Sequence, residues 1–133
     1  MTRPRSPLRW TAAVAGSVLM IDGITFFFFG MLHAGVHLLG TLEPTIIAAA
    51  VVEGVCCALT IGAGIAVFTR RASAWRAAVW AQAVAAAGVV LGIVSQLRSG
   101  GGTPLNFVYH RVILSVLVLG MLFVLVPSVR RSL

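Results

Sequence analysis

The chain has only three acids, Asp22, Glu43 and Glu53, and three histidines, His33, His37 and His110. Asp22 lies in MIDGITFFFFGMLHAGVH, a stretch whose four phenylalanines otherwise suit lipid, and Glu53 lies in the equally apolar IIAAAVVEGVCCALTIGAGIAVF. An ionisable side chain at the centre of a membrane helix costs about 2.5–3.5 kcal/mol on insertion scales, so each one implies a function or a partner. Counted from the outer helix ends, Asp22 and Glu53 are each about ten or eleven residues deep, or roughly 15 Å at the helical rise. Two carboxylates meeting at that depth would share a proton or a cation. Arg111 is the expected counter-ion, reaching down with its long side chain, and His110 is the expected fourth member. His33, eleven residues after Asp22, lies almost in phase with it at 100° per residue. Asn106 and His110 share a face through their four-residue spacing. Tyr109, Asn106 and His33 are therefore expected to line a substrate site above the carboxylates.

This constellation fits proton-coupled transport or binding of a small lipophilic or cationic molecule. The same residues would serve an intramembrane acid/base enzyme of isomerase, cyclase or epoxide-opening type, with a protonated carboxyl as the acid. They would also serve a non-catalytic subunit of a membrane complex, whose buried charges set the register of assembly. No cofactor is expected. A metal or haem would have to use His33, His37 and His110, which fall near one outer level. Cys56–Cys57 is a vicinal pair that matches no redox motif: adjacent helical positions point about 100° apart, and cysteine in an apolar helix acts as a small hydrophobe.

The elements that must position these residues follow from composition. Apolar residues make up 59% of the 133 and charged residues 10%, too little polar surface to cover a water-soluble fold of that size. Four runs are long enough to span a bilayer, at about Trp10–Leu32, Leu42–Phe68, Ala74–Leu97 and Pro104–Val126. The fold class is therefore an all-α integral membrane protein, a single up-down bundle of four transmembrane helices over 1–133. Pro44 is expected at the start of helix 2, with Glu43 facing its dipole. RSGGGTP, Arg98–Pro104, breaks the chain before helix 4, and Pro127 ends that helix.

The net charge of +7 comes from ten arginines and no lysine. Arg3, Arg5, Arg9, Arg70, Arg71, Arg76, Arg130 and Arg131 fall on one side of this topology, against Arg98 and Arg111 on the other. That asymmetry puts both termini in the cytoplasm of a multi-pass cell-membrane protein, and it is a topology signal rather than a nucleic-acid surface. The first run is longer than a signal-peptide core and carries Asp22, so it reads as a retained helix. Gly54, Ala58, Gly62 and Ala66 recur every four residues on helix 2, and Ala77, Ala81, Ala85, Gly88 and Gly92 mark helix 3. Such small-residue stripes allow close approach of helices, within the bundle or between the subunits of a homodimer.

Overall fold

The computed structural model describes residues 7–38, 40–41, 43–99 and 102–133. Arg3, Arg5, Leu42, Gly100 and Gly101 lie outside the described residues. Four long helices, α1 (Pro7–His33), α2 (Ile47–Phe68), α3 (Ala74–Ser99) and α4 (Pro104–Leu125), are each long and apolar enough to cross a membrane. A short α5 (Pro127–Arg130) follows. Neighbours in sequence are neighbours in space, as short connections between antiparallel helices require. The start of α1 and the segment after α5 meet at one end of the bundle, where Thr11 Oγ1 donates to Ser132 Oγ at 2.8 Å. There the indole N–H of Trp75 donates to the Val124 carbonyl at 3.0 Å, and the Arg130 guanidinium stacks 4.2 Å over the Trp75 ring.

The α1–α2 contact is the tightest in the bundle and has a simple cause. Gly16, Gly23 and Gly30 recur at intervals of seven along α1. A Cβ on Gly16 would meet the Phe68 ring at 2.8 Å, one on Gly23 would meet Thr60 Oγ1 at 2.9 Å, and one on Gly30 would meet Glu53 Cβ at 3.4 Å. A seven-residue repeat keeps one seam facing a partner helix, and its glycines let α2 approach the α1 backbone. The stripe on α2 does something else. Gly54, Ala58 and Gly62 are exposed, and a Cβ on Gly54 or Gly62 would touch nothing within 4 Å. Only Ala66 of that stripe packs inside.

Helix ends differ from expectation at one informative place. α2 begins at Ile47 rather than Leu42, and Glu43–Ile46 is irregular. Pro44 therefore sits in the connection and not in the first turn of the helix. The connection leaves α1 through a left-handed turn: Gly35 takes φ +87°, Gly35 N–H bonds Leu32 O at 2.9 Å and Val36 N–H bonds Met31 O at 3.0 Å. This pairing closes helices and favours glycine, which pays no Cβ penalty there. The chain then folds back so that Ile46 N–H donates to His33 O at 2.8 Å. Glu43 is buried and accepts from the Thr103 hydroxyl at 2.7 Å, while Thr103 caps α4 by accepting from Asn106 N–H at 3.1 Å. Glu43 thus secures the connection to the start of α4 instead of facing the start of α2.

Candidate functional site

Beneath this connection lies a cavity of about 220 Å³ in the loop-end half of the bundle. Its polar wall is built from all four long helices, α3 contributing Gln96. Glu53 Oε2 and His33 Nδ1 are 2.7 Å apart, and both side chains are buried. The Asn106 amide N–H donates to His33 Nε2 at 3.1 Å. With Nε2 accepting, Nδ1 carries the hydrogen and donates to Glu53. His110 Nδ1 donates to the Asn106 carbonyl at 2.8 Å, and the Gln96 amide nitrogen lies 3.3 Å from the same atom. Because that hydrogen is committed to the carbonyl, His110 Nε2 is left as a free acceptor. Tyr109 stacks on Phe29 with ring centroids 3.5 Å apart.

Several polar atoms of this wall have no partner. Gln96 Oε1, Asn106 Oδ1 and the Tyr109 hydroxyl are buried and unpaired, and the hydroxyl lies within electrostatic reach of Glu53. More than nine in ten buried polar groups in folded proteins are paired, so three orphans around one cavity make it the candidate site of this fold. The rest of the lining is apolar except for Ser95. Phe26 forms the floor, and the exposed Ile46 of the connection with Ala48 and Val52 of α2 faces the exposed Leu91 and Ser95 of α3 across the mouth. The cavity therefore opens sideways between two helices, while the connection covers its top.

Glycines position these side chains. A Cβ on Gly92 of α3 would overlap Nε2 of His110, and one on Gly120 of α4 would overlap the amide nitrogen of Gln82. Together with Gly23 at Thr60 and Gly30 at Glu53, each of these buried polar side chains rests against a glycine of a neighbouring helix. The seven-residue glycine period of α1 is the sequence signal that points to half of these seats.

The expected carboxylate pair is not formed. Gly30 faces Glu53 and Gly23 faces Thr60, so Asp22 lies level with Thr60 and Ile61. Its position is eight residues along α1 from Gly30, about 12 Å at the helical rise. The later start of α2 explains most of the difference: five residues move Glu53 about 7.5 Å toward the loop end. Arg111 is exposed on the outside of α4 and makes no ion pair among the described residues, its helical position facing away from both acids. His33, not Arg111, partners Glu53. Of the remaining expected residues, His110, Asn106, Tyr109 and His33 do converge on the cavity. His37 is exposed in the connection, because α1 stops at His33. Both ring nitrogens of His33 are engaged, which leaves His110 Nε2 as the one free histidine nitrogen in this wall. No group of three His, Cys, Asp or Glu side chains suited to a metal occurs among the described residues.

Fold and site together define a four-helix protein of membrane-spanning type with a His–Glu pair beside a laterally open cavity. No protein-family model, curated protein or solved structure matches the chain.

Proposed function

We propose that the cavity binds a small lipophilic molecule carrying an amine or ammonium head, entering from the lipid between α2 and α3, and that the His33–Glu53 pair exchanges a proton with it. The observation that carries this reading is the hydrogen-bonding character of the unpaired atoms. Gln96 Oε1, Asn106 Oδ1 and His110 Nε2 accept only, and Glu53 supplies negative charge. Against these stand two orphan donors, the Tyr109 hydroxyl and the Gln96 amide N–H that faces the committed His110 Nδ1. No arginine lines the cavity, so an anionic head would bring charge into a wall of acceptors. An engineered apolar cavity of about 150 Å³ admits benzene, so this one suits an aryl or short alkyl amine. His33 Nδ1 and Glu53 Oε2 are 2.7 Å apart, so a proton can pass between them without movement of either side chain, which suits exchange coupled to ligand entry or release.

The arginine asymmetry supports placing both termini and the α2–α3 link in the cytoplasm, with the cavity in the outer half of the cell membrane. A carboxyl-terminal fluorescent-protein fusion would then fluoresce, and a fusion to a periplasmic phosphatase would be inactive.

The test is calorimetry on protein in lipid nanodiscs with phenethylamine, 2-phenylethanol and 3-phenylpropanoate. The amine is expected to bind most tightly and the carboxylate least. Glu53→Gln should weaken the amine at least tenfold, about 1.4 kcal/mol, and leave the alcohol nearly unchanged. Equal affinities for all three, or preference for the carboxylate, would refute the reading. Proton exchange is read separately, from an internal pH dye in proteoliposomes on addition of the amine.

A further inference from the structure

A second group of buried polar side chains lies deeper in the bundle and takes no part in the cavity. Asp22, Thr60 and Gln82 are all at or below 1% exposure. They share one level. Gly23 faces Thr60, which puts the adjacent Asp22 at the same level, while Gly88 faces Val52 and Cys56, so six residues further toward the other end of the bundle Gln82 comes level with Thr60. Both Asp22 carboxylate oxygens and both Gln82 amide atoms lack a hydrogen-bonding partner. The Thr60 hydroxyl gives its hydrogen to the Cys56 carbonyl at 2.8 Å, which leaves its oxygen able to accept. Gly120 seats the Gln82 amide with no room for a Cβ, and Gly23 does the same for Thr60. The layer is held in place but unsatisfied.

We infer that this layer is a binding site for a small monovalent cation of sodium size, with Asp22 supplying the charge and Gln82 Oε1 and Thr60 Oγ1 supplying neutral oxygens. A buried carboxylate with neither counter-ion nor hydrogen bond is too costly to persist ionised and takes up either a proton or a cation; the neutral oxygens of Thr60 and Gln82 at its level favour the cation. Among the described residues no basic side chain pairs with Asp22: the one ion pair, His33–Glu53, belongs to the layer above. One carboxylate balances one positive charge, so a divalent ion would leave net charge in the apolar interior. Hard oxygen donors with no nitrogen or sulfur ligand match an alkali cation rather than a transition metal. Phe26 stands one helical turn above Asp22, fully buried, and forms the floor of the upper cavity. It separates the two layers, and movement of its ring is the route by which an ion reaches Asp22. The inference is independent of the amine reading, because none of its proposed ligands takes part in that site.

Thermal unfolding of the purified protein in mild detergent tests it, at pH 7.5 and fixed ionic strength with sodium, potassium or choline chloride. Sodium is expected to raise the midpoint by about 3 °C or more over choline, as a ligand bound only to the folded state does. Gln82→Ala should shrink the shift, Asp22→Asn should abolish it, and Glu53→Gln should preserve it. A wild-type midpoint that is the same in all three salts overturns the inference, whether or not any variant folds, and so does a full sodium shift in Asp22→Asn.

Discussion

Gly92→Ala isolates the glycine seat of His110. The new methyl would lie 3.0 Å from His110 Cδ2 and overlap Nε2, where carbon contacts are comfortable at about 3.5–4.0 Å. The ring must therefore retreat by roughly 1 Å, yet its Nδ1 is held 2.8 Å from the Asn106 carbonyl. Either that bond stretches or α3 and α4 separate. Overpacking of this kind costs about 1–3 kcal/mol. Gly62→Ala is the control, because a Cβ there meets nothing within 4 Å. Both substitutions remove a mid-helix glycine, which favours the helix by about 0.5–1 kcal/mol in each, so that gain cancels and Gly62→Ala should be the more stable variant by the overpacking cost, about 1–3 kcal/mol. Reversible unfolding in mixed micelles of dodecyl sulfate and maltoside, followed by circular dichroism, measures both. The clash is confirmed by coupling: in a His110→Ala background, Gly92→Ala should cost less than about 0.5 kcal/mol. Equal stabilities for the two alanine variants, or an unchanged cost without the His110 ring, would refute the reasoning.

Tyr109→Phe should leave the ligand-free protein as stable as wild type or slightly more so, since the hydroxyl it removes is buried without a partner and such a group is costly to bury; denaturant titration decides. Glu53→Leu should destabilise by about 2–4 kcal/mol, because it strands the His33 N–H and its neighbours, whereas Glu53→Gln keeps an acceptor and should cost about half as much. Arg70, the one residue other than glycine with positive φ among those described (φ 53°), occupies the left-handed cap after α2, so Arg70→Gly should stabilise by about 1 kcal/mol in the same unfolding assay. Thr103→Ala removes both the α4 cap and the partner of Glu43 and should cost about 1–2 kcal/mol, with faster hydrogen exchange at Ile46 N–H as the connection loosens.

Composition and hydropathy determined the number of spanning helices and nearly all their ends, because a helix in lipid must satisfy its own backbone and so announces itself by length and apolarity alone. They also singled out the residues worth explaining, since every ionisable group in such a helix is conspicuous. Which of these meet was a different matter. The depth of Glu53 hung on where α2 begins, and the segment around Pro44 reads equally as a first helical turn or as a connection. Only the bond from Glu43 to Thr103, sixty residues away, and the return of Ile46 to His33 settled it. Rotation about the axis was equally hidden in an almost uniformly apolar helix: periodicity could not turn Arg111 outward or place Gly54 and Gly62 on the open face. The glycines at intervals of seven on α1 gain their meaning only beside α2, because what rests on them, Glu53 and Thr60, depends on register between two helices. Local chemistry decides what a segment is, whereas partners are set by the packing of distant segments, and it is that packing which separates Asp22 from Glu53 and gives His33 to the latter.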